Sequence, residues 1–178
     1  FIGFDEEKSE ILLKFVDKKR SQEILFSVLK DNIKDKKVLL NGVKLPLLSK
    51  LFGNLKCVIF TPEDLELSKG SPENRRNFID LCICQIKPSY VSAINKYELL
   101  LSQRNALLKE ISLGISAEDS LDVWDFQLSQ TGAYISLLRN TYTKKLIVYS
   151  EKLYYDFTQR RESLSVSYSS SVFSQLDG

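Results

Sequence analysis

Residues 60–80, FTPEDLELSKGSPENRRNFID, divide the chain into two parts of different character. Before this segment, apolar and polar side chains alternate as they do in β-strands; after it, apolar side chains recur every three or four residues, as in helices. Within the segment, T-P at 61–62 and S-P at 71–72 each place a capping side chain before a proline, which is typical of a helix start. The sequence therefore predicts an α+β fold whose helical part begins inside this segment.

The composition excludes several kinds of catalytic site. The 178 residues include no His, which removes His-based nucleophile triads and His-containing zinc sites. Cys57, Cys82 and Cys84 lack C-x-x-C spacing, which indicates buried reduced thiols. Neither a G-x-x-x-x-G-K-[ST] phosphate loop nor a dinucleotide glycine fingerprint is present. We expect this chain alone to hold no catalytic residues and no metal, and neither to bind ATP tightly nor to hydrolyse it.

The ends and the charge of the chain add three expectations. Residue 1 is Phe and the chain contains no Met, which predicts a piece excised or processed from a longer protein. No run of about 18 apolar residues is present, so we expect no membrane span. A net charge of +2 leaves nucleic-acid binding open, because a local basic patch can lie on a nearly neutral protein.

The first part of the chain predicts a small, mostly antiparallel sheet. Strands at 10–16 and 23–30 flank a polar turn and suggest a hairpin, and a third strand ends at Asn41-Gly42, a strong hairpin-turn signal. A helical turn at 47–52 is closed by Gly53. The apolar run KCVIF at 56–60 predicts a strand buried on both faces, and the alternation at 162–172 predicts a strand that returns to the sheet.

The second part predicts a helical lobe. One helix covers 73–87, a second opens at Pro88, and a third covers 118–159 after a break at Gly114. Two long helices joined by a short loop pack as an antiparallel hairpin, and these would measure about 36 Å and 60 Å. Gly132 suits close packing or a kink, and the tyrosines of the last helix are interpreted as core. The predicted regions are a sheet region (1–70), a helical lobe (71–160) and a returning strand (161–178).

Two groups of charged residues carry alternative interpretations. Glu63 and Asp64 either complement the dipole at a helix N-terminus or form a loop that contacts metal or water at the end of a strand. Arg76 can form an exposed ion pair with Asp80 four residues on. Arg75 lies near the predicted buried face, where its charge needs a carboxylate or a phosphate. The polar patch Gln103-Arg104-Asn105 either sets the register of its helix or binds a ligand.

Several short stretches, in order over roughly residues 38–172, resemble the RecF family of bacterial DNA replication and repair proteins. They are L-N-G at 40–42, V-I-F-T-P-E-D-L at 58–65, K-G-S-P at 69–72, R-R-x-F-I-D at 75–80, Q-R-N-A-L-L-K at 103–109, and L-D-V-W-D at 121–125 followed by Q-L. Ser68 departs from the resemblance, since an apolar residue is usual there.

The RecF family is similar to the heads of SMC-type ATPases of the ABC class. The resemblance implies that this chain is part of an ATPase head with an inserted helical lobe, that the Walker A loop lies upstream of it, and that the signature and Walker B motifs lie downstream. It implies that the Q-loop position, close to the nucleotide, is occupied by Thr61, Pro62, Glu63 and Asp64. It also suggests contacts with DNA or across a dimer for Lys69, Arg75, Arg76, Gln103 and Arg104.

For the full-length protein, the resemblance implies ATP and magnesium (Mg) as cofactors and an ATP-dependent homodimer. It also implies binding to duplex DNA and single-strand/duplex junctions at gaps, cooperation with RecR and RecO in loading recombinase after DNA damage, and a cytoplasmic location. The alternative is a stand-alone helical-hairpin interaction module without a nucleotide link. A phosphate loop upstream in the parent gene and a signature motif downstream support the first reading, and their absence supports the second.

Overall fold

The computed structural model describes residues 2–17, 20–32, 36–115 and 118–170. They belong to two compact units, Phe1–Leu55 and Lys56–Gly178. The first unit contains an antiparallel sheet and the second contains the long helices, so the predicted α+β class is confirmed. The second unit includes the short helical turns at 62–69, which pack with one another and with the helix that follows.

The sheet unit is a four-stranded antiparallel sheet in the order β1-β2-β3-β4. Its strands are β1 (Lys8–Asp17), β2 (Arg20–Leu29), β3 (Lys37–Leu40) and β4 (Val43–Lys44). The first two pair along their whole length, from Lys8 opposite Leu29 to Asp17 opposite Arg20, as the sequence predicted. The core of this unit comes from Ile24, Val28 and Val38.

The turn between β3 and β4 has the geometry that Asn-Gly predicts. Asn41 and Gly42 have φ angles of 50° and 80°, the positive values that a tight hairpin of primed type requires at both central positions. The Asn41 side chain also ties this turn to β2, since its Oδ1 accepts a hydrogen bond of 2.8 Å from the backbone N–H of Glu23. A single turn of 3₁₀ helix follows at Leu48–Leu51, as predicted.

Two predicted strands are not formed by the described chain. Residues 56–60 carry no regular secondary structure, and Val58 is 99% exposed, with Ile59 and Phe60 also largely exposed. Residues 162–170 are likewise irregular, and the remainder of that prediction, 171–172, lies outside the described residues. The reason is that a strand needs a partner for its backbone N–H and C=O groups, and no strand of the described residues pairs with either segment.

Within its described residues, the helical unit contains four helices whose order follows the prediction. They are α1 (Glu66–Lys69), α2 (Pro72–Ile86), α3 (Ser89–Ser112) and α4 (Leu121–Phe157), with 3₁₀ turns at Pro62–Leu65 and Glu118–Ser120. The predicted break after α3 is present, and Gly114 adopts φ of 72° there, a value that favours glycine.

The register of α3 against α4 confirms an antiparallel hairpin. Tyr97 of α3 meets Gly132 of α4, and farther along α3, Arg104 pairs with Asp125. The residue numbers of each pair add up to the same total, which is the signature of two helices running in opposite directions. At 1.5 Å per residue, α3 is about 36 Å long and α4 about 55 Å. In this register, about the last 17 residues of α4 extend beyond the start of α3.

Gly132 lies against the ring of Tyr97 of α3, so of the two predicted roles the structure shows close packing. A Cβ atom at this position would come within 3.2 Å of Cε2 of Tyr97. Among the described residues of the helical unit, the buried side chains are Ile83, Cys84, Tyr90, Leu100, Thr131, Ile135 and Thr143.

Candidate functional site

The loop predicted to lie near a nucleotide is a helix-start motif closed by Asp64. The Asp64 carboxylate accepts hydrogen bonds from the backbone N–H of Thr61 at 2.7 Å and from its hydroxyl at 3.2 Å. In return the backbone N–H of Asp64 donates to the Thr61 carbonyl at 3.0 Å. Pro62 occupies the first helical position, where its missing N–H costs nothing. The local capping role therefore accounts for Asp64.

Glu63 is placed differently, because its side chain is exposed on the first turn of the same motif. Its own backbone N–H and the Thr61 hydroxyl lower the pKa of its carboxyl, so the group carries a negative charge at neutral pH. Among the described residues, no cluster of three or more Cys, Asp or Glu side chains is placed to hold a metal ion. The loop therefore presents one exposed carboxylate and a second that is held internally.

The basic cluster, which comprises Lys69, Arg75 and Arg76, lies at the junction of α1 and α2. Arg75 donates to the backbone carbonyls of Gly70 at 2.9 Å and Leu67 at 3.3 Å, and so covers the C-terminal carbonyls of α1. The prediction that Arg75 faces the core and needs a carboxylate or phosphate is therefore wrong: its side chain is exposed, and carbonyl groups accept its hydrogen bonds. Lys69 and Arg76 are also exposed.

Gly70 allows this junction to be tight. A Cβ atom there would lie 2.5 Å from the carbonyl oxygen of Glu66 and 2.7 Å from the side-chain nitrogen of Asn74. The contact with the Glu66 backbone is too short for any residue with a side chain, so glycine is required between α1 and α2. Ser71 then caps α2 by accepting a hydrogen bond of 3.4 Å from the backbone N–H of Asn74, as the sequence predicted.

Asp80 forms the main polar contact among the three long helices. Its carboxylate accepts bonds from Nε of Arg139 at 2.8 Å and from a terminal guanidinium nitrogen of Arg139 at 2.7 Å. The Tyr90 hydroxyl donates a third, at 2.6 Å. The Asp80 and Arg139 side chains are 15% and 19% exposed, and Tyr90 is fully buried. The predicted exposed pair of Asp80 with Arg76 is not formed, because the carboxylate faces α3 and α4 instead.

This polar junction shifts the pKa values of the groups around it. Burial raises the pKa of the Tyr90 hydroxyl far above its ordinary value, and its hydrogen bond to Asp80 adds to the effect. Burial, followed by the charge of Asp80, raises the pKa of the Cys84 thiol to about 11. The hydrogen bonds to Asp80 raise the pKa of Arg139, so this guanidinium stays charged at any moderate pH. Cys84 is therefore an inert buried thiol, as expected, but the prediction of burial is wrong for Cys57, which is exposed because residues 56–60 form no buried strand.

Arg104 and Gln103 lie farther along α3. Arg104 binds Asp125 of α4 through two guanidinium nitrogens. This bidentate pair raises the pKa of Arg104 and lowers that of Asp125. Of the two interpretations for the polar patch, the structure supports the one in which Arg104 fixes the register of its helix, whereas Gln103 is simply exposed.

The tyrosines of α4 divide into packed and exposed groups. Tyr142 is half-buried, and burial together with a hydrogen bond to Cys82 raises its pKa to about 12. Tyr134 lies under the ammonium group of Lys87, 5.3 Å from the ring centre. Tyr134, Tyr149 and Tyr155 are exposed, whereas Tyr142 and Tyr154 are part-buried. The prediction that the tyrosines are core is therefore wrong for the three exposed ones.

Sequence reasoning missed the partnership of Asp80 with Arg139 and Tyr90. The signal for Arg139 was weak: it is a single charge between the apolar positions 135, 138 and 142 of a long helix. Its partner lies 59 residues earlier in the chain, beyond the reach of helical-spacing rules. None of the helices in the described part of the chain is long and apolar enough to cross a membrane.

Comparison with known proteins gives a consistent set of relatives, although no protein-family model matches the chain. It is 40% identical over 139 residues to the DNA replication and repair protein RecF of Acetivibrio thermocellus, covering 78% of this chain and 38% of that protein. It is 37% identical over 177 residues to RecF of Halothermothrix orenii, covering 99% and 46%. With RecF of Desulforamulus reducens it shares 44% identity over 138 residues, covering 77% and 36%.

Solved structures agree with these relatives. The chain superposes on a structure of the recombination mediator protein RecF-ATP in the RecFOR pathway with a TM-score of 0.79 at 32% identity, covering 88% of this chain and 42% of that one. A RecF-ATPrS structure matches with a TM-score of 0.78. The chain thus spans less than half the length of the relatives that it matches.

Proposed function

Because the chain belongs to the RecF family, of which it spans a segment, we propose that it is the helical lobe and part of the head of a DNA-binding, ATP-dependent recombinational repair protein. The observation that carries this proposal is the match of backbone and sequence together, at a TM-score of 0.79 and 32% identity, to a recombination mediator described with ATP. The whole protein would bind DNA at gaps and help RecR and RecO to load recombinase, in the cytoplasm, as an ATP-dependent homodimer.

ATP would be held mainly by parts of the protein other than this chain. The sequence contains no glycine-rich phosphate loop. In the 61–64 loop, the Asp64 carboxylate already accepts hydrogen bonds from Thr61. These residues do not make an ATP or magnesium site by themselves. We propose that the loop lies beside the bound nucleotide in the full-length protein, with the exposed Glu63 as the side chain closest to it.

The exposed apolar run at 56–60 supports the proposal that this chain holds only part of the ATPase head. Val58, Ile59 and Phe60 leave most of their surface in water, and covering apolar surface is the main favourable term in folding. We propose that a strand of the longer protein pairs with this run. Hydrogen exchange tests this directly: the amides of 58–60 should exchange slowly in the full-length protein and fast in this chain alone. Fast exchange in both would refute the pairing.

The basic cluster is the proposed contact with DNA. Lys69 and Arg76 are exposed, and Arg75 lies beside them at the α1–α2 junction. Gln103 and Arg104 lie on α3, where the bond of Arg104 to Asp125 leaves that arginine less suited to a phosphate. Arg76 is the sharpest test residue, because Arg75 also holds the end of α1 and its loss would disturb the fold.

The test is the salt dependence of DNA affinity in the full-length protein with Arg76→Ala. Each phosphate contact releases counterions, so losing one contact should make the slope of log affinity against log salt shallower by about one. Lys96→Ala is a matched control, since it removes one exposed positive charge from α3. An unchanged slope for Arg76→Ala, or an equal change for both variants, would refute the assignment.

A further inference from the structure

Helix α2 is bonded at both ends to the segment that contains the 61–64 loop. At its C-terminal end, the Gln85 side chain accepts a hydrogen bond of 2.8 Å from the backbone N–H of Cys57. At its N-terminal end, Arg75 donates to the carbonyls of Leu67 and Gly70. The loop is thus enclosed between two anchor points on one helix of 15 residues. A displacement of the loop segment as a whole therefore moves α2 or breaks these bonds.

The middle of the same helix is bonded to the hairpin. Asp80 lies between the two anchor points and accepts bonds from Tyr90 of α3 and from Arg139 of α4. The segment that contains the loop is therefore bonded to the two ends of α2, and the middle of α2 is bonded to both hairpin helices. Asp80 is the residue of α2 that bonds to both hairpin helices, whereas the bond between Cys82 and Tyr142 reaches α4 alone.

The burial of this junction makes it suitable for transmitting movement. A charged group that is less than one-fifth exposed cannot exchange its partner for water at low cost, so the Asp80–Arg139 pair either stays intact or is lost as a unit. The exposed Arg104–Asp125 pair, in contrast, joins only α3 to α4 and can open into solvent.

We propose that Asp80, with Arg139 and Tyr90, is the joint through which the 61–64 loop and the α3–α4 hairpin move as one body. Asp80 is a positioning residue in this account, since it acts through α2 and touches no nucleotide or DNA. The inference deepens the proposed function and rests on it: the nucleotide state at the loop reaches the DNA-binding lobe through this carboxylate.

The first experiment compares Asp80→Asn with Asp125→Asn in the full-length protein. The measured quantity is the ratio of duplex DNA affinity with ATP to that without ATP. Asp80→Asn should reduce this ratio about fivefold or more, toward one, whereas Asp125→Asn should leave it at the wild-type value. A wild-type ratio in folded Asp80→Asn, or an equal loss in both variants, overturns the inference. If Asp80→Asn fails to fold, Tyr90→Phe is measured instead, since it removes one of the three hydrogen bonds to Asp80. Tyr90→Phe should lower the affinity ratio to a smaller extent than Asp80→Asn, and a wild-type ratio overturns the inference.

The second experiment separates failure of the joint from failure of the proposed function. Hydrogen exchange of the amides at 61–70 is measured in this chain, without nucleotide or DNA. Asp80→Asn should accelerate their exchange, and Asp125→Asn should not; no acceleration overturns the joint. If the acceleration is present but wild-type protein shows no effect of ATP on DNA affinity, the joint stands as a mechanical link, and both the nucleotide coupling and the proposed function are overturned.

Discussion

The Asp80–Arg139 pair should contribute more to the stability of the helical unit than its exposed counterpart, Arg104–Asp125. Removing one partner from a fully buried ion pair costs about 3–5 kcal/mol, because the other charge is left without a partner. With 15% and 19% of the side chains exposed, we expect about 2–4 kcal/mol for Asp80→Asn or Arg139→Gln. The double variant should cost less than the sum of the two, by about 1–3 kcal/mol of coupling.

Urea unfolding of this chain, followed by circular dichroism at 222 nm, measures these free energies because the signal reports mainly the helices. The same double-mutant cycle on Arg104→Gln and Asp125→Asn is the matched control, since it removes an arginine–aspartate pair of the same bidentate type from the surface of the hairpin. Its coupling should be clearly smaller, because water replaces the lost partner. Equal coupling in the two cycles, or strictly additive losses at Asp80 and Arg139, would refute the view that the buried junction organises the three helices.

Three further predictions concern packing and protonation. Gly132→Ala should change the free energy of unfolding by less than about 1 kcal/mol, because the gain in helix propensity offsets the 3.2 Å contact with Tyr97. Gly132→Leu should lower the free energy of unfolding by about 2 kcal/mol or more, because its larger side chain does not fit against Tyr97. Thermal unfolding of both variants checks this. At pH 8, iodoacetamide should modify exposed Cys57 far faster than Cys84, whose pKa of about 11 leaves about a hundredfold less thiolate than an ordinary thiol; comparable rates by mass spectrometry would contradict this. The free energy of unfolding should fall between about pH 9 and 12, by up to about 1.4 kcal/mol per pH unit for each of two groups. The reason is that the unfolded chain loses the protons of Cys84 and Tyr142 at their ordinary pKa values, while the folded chain keeps them until pKa values of about 11 and 12. Urea titrations across this range measure the slope, and a flat profile would contradict the prediction.

Local signals predicted the elements of the fold well. Ser71-Pro72 starts α2, Gly114 ends the turn after α3, and Asn41-Gly42 makes the β3–β4 turn, because in each case neighbouring residues alone decide the backbone geometry. The antiparallel hairpin also followed from local information, since two long amphipathic helices with a short connection have one simple way to pack.

Features that depend on distant partners were harder to predict. The apolar run at 56–60 has the composition of a buried strand, but composition cannot provide the neighbouring strand that burial requires, and the described chain provides none. Asp80 was assigned to Arg76 by the four-residue rule, whereas burial of the α2 face selected Arg139. In the same way, helical spacing predicts an opposite charge beside Arg75, whereas carbonyl groups at the end of α1 accept its hydrogen bonds.

The candidate site could be predicted only in part for the same reason. The 61–64 loop was expected from its capping residues, and its pattern of hydrogen bonds is present. Its connection to the hairpin through Gln85, α2 and Asp80 uses contacts between residues far apart in sequence, and no motif in the chain indicates them.

The most direct test of the central proposal is the affinity of the full-length protein for gapped duplex DNA, measured with and without ATP by fluorescence anisotropy at fixed salt. A RecF-type role predicts that ATP strengthens binding about fivefold or more. Equal affinity in both conditions, or no binding above that of an unrelated protein of similar charge, would contradict it.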